Sequence, residues 1–414
     1  MNILMLGWEF PPYFSGGVGV VCEALSRALV ARGDQITFVM PAGPDAARAP
    51  HLRLLVADRH VPVPRLVHVP SLLQPYQGSV EYERLHGTLM SSTAASEGLY
   101  GSDLLSEVDR FGARVVQLVE DLNLDFDVIH AHDWTTFAAG IELKSRTGKP
   151  LVVHVHITEF DKSGGSHADP RIYRIEQAGM QRSDAIIAVS HLVKQRCVQR
   201  YHADSDKIHV VHNGVERSGD RKTSPLSPEH GKVVLFLGRV TLQKGPDYFM
   251  EAAQRVLQIE PEVTFVLSGT GDMLSRLVER SAELGIGSRM LFTGFVDRDE
   301  AAKLYALADV FVMPSVSEPF GLVALEAMDR GVPLILSRQS GAAEVIRHAL
   351  KINFWDVDDF ADKILAALSY SSLKQEMTSG ADRELDQLSW SRVAARVGEI
   401  HERVRSESVW RTTL

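Results

Sequence analysis

The stretch Ser317-Glu318-Pro319-Phe320-Gly321-Leu322-Val323-Ala324-Leu325-Glu326-Ala327-Met328 sets two carboxylates on either side of a glycine and an apolar run. The apolar spacing predicts a helix starting near Leu322, with Glu318 in the loop that feeds it and Glu326 inside it. The two carboxylates would lie about 12 Å apart along the axis if the chain between them were all helical. Gly321 has no Cβ, so an anion can reach the free N–H groups of the first turn, where the helix dipole favours negative charge. A ligand with a polyol at each end and a pyrophosphate between them, such as a nucleotide-sugar, fits this layout. The spacing also fits a loop carboxylate and a solvated helix position, so the pattern alone leaves both readings open.

Two cations come next. Gly238-Arg239-Val240 and Lys244-Gly245 follow an apolar run, Val233–Leu237, that reads as a strand, so both charges belong to the carboxyl edge of one sheet. An arginine can fork two phosphate oxygens and a lysine adds a point charge. They form either a diphosphate clamp or a solvated pair in a loop. Near the start, Ser15-Gly16-Gly17-Val18-Gly19 allows close backbone approach to a phosphate or sugar. Cys22 occupies the last position of a Gly-x-Gly-x-x-Gly pattern and no Walker lysine follows, which removes the nicotinamide-dinucleotide and P-loop readings. His130/His132, with Asp133, and His154/His156 end two predicted strands, and period-two spacing puts each pair on one face. The pairs could ligate a metal or hold hydroxyls at a cleft, and His154 could equally be a hydrogen-bonded core residue. There is no Gly-x-Ser-x-Gly elbow and no arrangement resembling a Ser/His/Asp triad.

These residues need a scaffold. Short apolar runs at Asn2–Leu6, Gln35–Met40, Val128–His130, Leu151–Val155, Ala185–Val189 and Ile208–Val211 read as buried strands with helices between them. The segment 41–126 is less regular. Its prolines break Val61–Gln77 into loop or edge strand, and helical periodicity returns near Leu104–Leu122. Glu216–Lys232 has no period and reads as a linker. Beyond it strands at Val233–Leu237, Thr264–Ser268, Met290–Thr293, Val310–Met313 and Leu334–Leu336 alternate with helices at Asp247–Gln258, Met273–Leu284, Glu300–Leu307 and Leu322–Asp329, before a mostly helical tail. The expected architecture is α/β, two doubly wound Rossmann-like domains joined by one linker and facing across a cleft, with ligands at the carboxyl ends of the strands.

The bulk properties agree. The chain has 414 residues, long enough for two or three domains, and a net charge of −9, which argues against a nucleic-acid or anionic-membrane surface. No apolar run approaches the roughly 18 residues of a membrane span. Two cysteines, Cys22 and Cys197, make no disulfide framework. A cytoplasmic location is expected.

Several motifs now fall into one order: the Gly-Gly-Val-Gly loop, His130-Ala131-His132-Asp133-Trp134, His156 after its strand, Val189-Ser190 and His212-Asn213-Gly214. The Gly-Arg…Lys-Gly pair, Gly294-Phe295 and the Glu-x7-Glu motif complete it. The set, spanning nearly the whole chain, resembles the retaining glycosyltransferases of the GT-B type, specifically family 4 and the related glycogen and starch synthases. The resemblance implies an acceptor domain over residues 1–215, a linker over 216–232 and a nucleotide-sugar donor domain over 233–388. Residues 389–414 would form a C-terminal helix crossing back to the first domain.

The resemblance also assigns roles. Arg239 and Lys244 would bind the donor diphosphate and stabilise the leaving nucleotide. Glu318 would hydrogen-bond donor-sugar hydroxyls beside the Phe320 and Gly321 amides, with Leu322 and Val323 opening the helix, and Glu326 would hold the ribose. Gly17 would approach from the first domain, His156 would border the sugar near its reacting carbon, and the backbone around Phe295 would meet the base. His132 and Asp133 are assigned to the acceptor side. No cofactor or metal is expected, since the two cations and the helix end can carry the leaving charge. The implied activity moves glucose from UDP- or ADP-glucose to a carbohydrate acceptor, an α-glucan by the closeness of Glu318-Pro319-Phe320-Gly321 to glycogen synthases. Ser15, standing where those enzymes carry lysine, leaves sucrose-, trehalose- or lipid-directed transfer as alternatives, with a nucleotide-sugar 2-epimerase or a sugar-nucleotide sensor behind them.

Overall fold

The computed structural model describes residues 1–11, 17–41, 49–57, 104–165, 167–218 and 231–412. Two parallel sheets dominate it. The first comprises β1 (Asn2–Leu6), β2 (Gln35–Met40), β3 (Arg53–Val56), β4 (Val128–His132), β5 (Leu151–Val155), β6 (Ala185–Ala188) and β7 (Ile208–Val210), in the order β3-β2-β1-β4-β5-β6-β7. The second comprises β8 (Val233–Leu237), β9 (Thr264–Ser268), β10 (Met290–Gly294), β11 (Val310–Met313), β12 (Leu334–Ser337) and β13 (Leu350–Ile352), in the order β10-β9-β8-β11-β12-β13. In each sheet the chain winds outward one way from the first strand, then returns and winds the other way. The junctions β1/β4 and β8/β11 are therefore the points where the loops above the sheet diverge and leave a crevice.

Both faces of a parallel sheet are covered, so its strands read as unbroken apolar runs. Alternate residues of β1 show the division. Leu4 and Leu6 pack with Phe111 and Phe137, from helices Leu104–Asp121 and Trp134–Thr147. Ile3 and Met5 pack on the other face with Leu25 and Leu29 of helix Gly17–Ala31 and with Val397 and Ile400 of helix Trp390–Thr412. In the second sheet Val234 and Phe236 pack with Phe249 and Phe360, whereas Leu235 faces the cluster that holds Tyr305 and Leu325. The helix Trp390–Thr412 lies against the first sheet although the chain reaches it from the second.

The differences from the sequence reading are local. β3 lies in the segment read as irregular, while the Val61–Gln77 reading falls outside the described residues. β4 runs two residues beyond Val128–His130, because His130 and His132 keep the ladder with β5. The helix expected from Glu300 starts at Arg298, since Asp297 and Glu300 close a reciprocal capping box (2.8 and 3.0 Å). Most of the linker reading, from residue 219 to 230, also lies outside the described residues, as do Ser15 and Gly16. Where the two sheets join, Val215 and Ser389 bridge in parallel and Val215 N–H donates to Leu388 O at 2.8 Å. Among the described residues no helix is long and apolar enough to cross a membrane.

Candidate active site

The second sheet brings the loops after β8 and β11 together at its switch point. After β8 the chain turns through Gly238 and Arg239 into a short 3-10 turn, Leu242–Lys244, and then into helix Pro246–Leu257. This turn needs room beside β9. Gly269 has φ +133°, and a Cβ there would lie 1.8 Å from Gly238 O, so no other residue lets the two backbones meet. After β11 the chain runs through Ser315, Ser317 and Glu318 to Gly321, which caps helix Leu322–Asp329 at φ +104°. The loops are stitched to each other, since Val316 N–H donates to Gln243 O at 2.9 Å. A third segment, following β12, braces them: Gly341 N–H donates to Glu318 O (3.0 Å) and Ala342 N–H to Phe320 O (2.7 Å).

This bracing puts Lys244 Nζ on Glu318 Oε2 as an ion pair whose side chains are only 17% and 7% exposed. Ser315 Oγ donates to the same carboxylate at 3.3 Å. Arg239 Nη2 donates to Gln243 Oε1 at 3.0 Å. A recess opens above them, lined by Arg239, Lys244, Glu318, Phe320, Gly321, Leu322 and Val323 from the second lobe. Gly17, Val18, His156 and Ile157 line it from the first lobe. On the other side of the Leu322 side chain a second recess is lined by Glu326, Tyr305, Arg298 and Arg330. Glu326 Oε2 accepts a hydrogen bond from Tyr305 Oη at 3.0 Å. Although Glu326 opens to the recess, surrounding protein raises its carboxyl pKa above the ordinary value, against the pull of the Tyr305 hydroxyl and the two arginines.

The first lobe contributes His156 at the end of β5. Asp133 Oδ1 accepts its backbone N–H at 2.7 Å, and His132 Nδ1 lies 2.8 Å from its Nε2. His154 stacks on it with ring centroids 4.1 Å apart, and burial pushes the His156 imidazole pKa down to about 3. His132 and Asp133, assigned to the acceptor side above, are 1% and 2% exposed and stand behind His156 in the cleft wall. Asp133 carries strain in doing so, with φ +56° between β4 and its helix. Phe295 is 78% exposed just past β10 and lines neither recess.

Among the described residues, two groups of polar contacts help close the seam between the lobes. Ser317 Oγ, one residue before Glu318, donates to Asp161 Oδ1 at 2.7 Å, and Arg196 Nη1 bonds both, at 3.0 Å from Ser317. Glu344 of the second lobe accepts the N–H groups of His191 and Leu192, both at 2.8 Å, at the first turn of helix His191–Tyr201. Its other neighbour is His212 Nε2 at 3.0 Å. The sequence reading missed Gln243, Tyr305, Asp161, Arg196 and Ser317. Only Asp161 carried a local signal, as the far end of the capping box Thr158-x-x-Asp161.

Two doubly wound sheets facing across such a cleft define the GT-B class of glycosyltransferase. Residues 16–214 match the family described as glycosyl transferase 4-like domain, and residues 219–384 match glycosyl transferases group 1. The chain belongs to these glycosyltransferases and is an enzyme of that class. It is 29% identical to an uncharacterized glycosyltransferase of Methanocaldococcus jannaschii, over 95% of this chain and 96% of that one. It is 26% identical to glycogen synthase of Mycobacterium tuberculosis, over 97% and 94% of the two chains. Sucrose-phosphate synthase from Thermosynechococcus elongatus shares its fold with a TM-score of 0.76 at 20% identity, over 98% and 99% of the chains.

Proposed function

We propose that the protein is a retaining glycosyltransferase that moves glucose from UDP- or ADP-glucose to an α-glucan, with the acceptor entering from the first lobe (residues 1–215) and the donor held by the second (233–388). One observation carries the donor reading: Lys244 and Glu318 meet at the β8/β11 switch point, beside the open amino end of helix Leu322–Asp329 and in the same recess as Arg239 and His156. The diphosphate would lie on that helix end, with Arg239 and Lys244 on its oxygens. Lys244 would then leave Glu318, whose freed carboxylate would take sugar hydroxyls. As the glycosyl–phosphate bond breaks, negative charge grows on the departing diphosphate. Cations and amides already aimed there lower the barrier without reorganising. The ribose would reach past Leu322 to Glu326 in the second recess. The similarity to a glycogen synthase along 97% of the chain favours glucan among the acceptors.

The test is turnover of UDP-glucose and ADP-glucose with short maltooligosaccharides, following nucleotide diphosphate release and product length, with NMR of the new linkage. An α-linked, lengthened chain is expected. Nucleotide released equally without acceptor, or an inverted anomeric centre, would overturn the reading.

A further inference from the structure

One segment of the first lobe reaches across the seam to both loops of the donor recess. It follows β5 directly: His156 and Ile157 line the recess, and Thr158 then caps the short helix Glu159–Lys162. That helix lies against the turn Leu242–Lys244 of the second lobe. Beyond it Gly164, with φ +68°, packs so close to Val316 that a Cβ there would lie 3.2 Å from Val316 Cγ1. Between these two contacts Asp161, fully buried, meets Ser317.

Asp161 is held on all sides. A carboxylate accepts about four hydrogen bonds, and this one has four donors. Its Oδ2 takes the Thr158 N–H at 2.8 Å and the Thr158 hydroxyl at 2.7 Å. Its Oδ1 takes the Ser317 hydroxyl at 2.7 Å and Arg196 Nη1. Arg196 also donates to Ser317 Oγ at 3.0 Å, so hydroxyl, carboxylate and guanidinium close a triangle. The Thr158 bonds tie Asp161 to the segment that carries His156, and the Ser317 bond ties it to the residue before Glu318.

Glu318 needs that hold. Its carboxylate is bonded in this structure by Lys244 and, at 3.3 Å, by Ser315 Oγ. In the donor-bound enzyme proposed above Lys244 turns to the diphosphate, which leaves only the long bond from Ser315. The loop backbone is fixed within the second lobe, by Val316 N–H to Gln243 O and Glu318 N–H to Gln339 O, both at 2.9 Å. The Ser317 side chain carries the link from this loop to the first lobe. We propose, resting on the donor reading above, that Asp161 is a positioning residue for transfer: through Ser317 it sets the Glu318 carboxylate against His156, and only while the lobes are together. The grip on the sugar then depends on closure, so a donor bound to the second lobe alone meets the cations before it meets an aligned carboxylate.

The test compares Ser317→Ala with the wild type and with Glu344→Gln, using UDP-glucose against UDP-galactose and ADP-glucose against ADP-galactose, with maltooligosaccharides present. The sugars of each pair differ only in the orientation of one hydroxyl. In Ser317→Ala, Asp161 keeps Thr158 and Arg196, and Glu344 still joins the lobes. Melting temperature and calorimetric affinity for UDP alone should therefore stay close to wild type. Turnover of the glucose donor should fall by about 10- to 100-fold, the scale of a ~1 Å misplacement, and the preference for glucose over galactose should shrink. Loss of folded protein would instead lower both rates by one factor. Glu344→Gln, which weakens the seam elsewhere, should keep the preference. Wild-type turnover and preference in Ser317→Ala overturn the inference, as does an equal loss for both sugars. The same relaxed preference in Glu344→Gln also overturns it, by assigning the effect to the seam as a whole. A wild-type chain that releases nucleotide from none of the four donors overturns the donor reading itself, and the inference with it.

Discussion

At the scale of single residues, the Lys244–Glu318 pair has two consequences that separate in experiment. If Lys244 faces the leaving group as proposed, removing it takes away that cation, a loss of roughly 10²–10³ in turnover. It also strands a carboxylate that is 7% exposed, at a cost of about 1–3 kcal/mol of stability. Lys244→Met should therefore be both inactive and less stable, and the double variant Lys244→Met/Glu318→Gln should regain the melting temperature without regaining transfer. Calorimetry and a donor-release assay distinguish the two. Glu176 makes a second case. Burial raises its carboxyl pKa to about 8 from 4.5, against the Tyr201 hydroxyl hydrogen bond that favours the charged form. The folded chain then holds a proton that the unfolded chain releases, so stability falls as pH rises between roughly 4.5 and 8, by at most about 1.4 kcal/mol per pH unit. Glu176→Gln should flatten the melting temperature across that window and raise it at pH 8. What the sequence showed of the site were residues with a pattern: carboxylates around a helix start, cations after a strand. Tyr305 and Arg196 act through partners far away in the chain, as does the backbone carbonyl of Gln243, and no local spacing announces them.

At the scale of elements, the fold was legible wherever an element was buried on both sides or carried its own stop signals. β6 and β11 are unbroken apolar runs, and the glycine ending helix Trp134–Thr147 sits in the left-handed region at φ 69°. β3 and β13 were not legible. They are edge strands of four and three residues, too short to show a period, and their pairing with β2 and β12 is decided by neighbours the sequence does not juxtapose. The seam between lobes was equally invisible, because it joins helix ends to loops rather than faces to faces. Helix His191–Tyr201 points its first turn at Glu344, which satisfies two amides and the local dipole together. Ser317→Ala combined with Glu344→Gln should loosen this seam while leaving both sheets intact. Small-angle scattering should report a larger radius for the variant without nucleotide, with a higher KM for the donor. An unchanged radius would show that the lobes are held by other contacts.

At the scale of the whole molecule, the helix Trp390–Thr412 is part of the first sheet's core. Val393, Ala394, Val397, Ile400 and Val404 are all buried there with Ile3 and Met5. Truncation after Leu388 should expose that face and yield aggregated protein, even though the removed residues lie outside the second lobe's own core. Solubility and thermal unfolding of the shortened chain check this. The parallel bridge between Val215 and Ser389 adds a mechanical consequence. The polypeptide passes between the sheets twice, and the two passages meet at Val215 and Ser389 like the two leaves of a door fitting. Twisting of one sheet over the other would shear that pair apart, whereas swinging about it leaves the pair joined and gives up the Ser317 and Glu344 contacts instead, so the mouth should open and shut along a single arc and return each time to the same register.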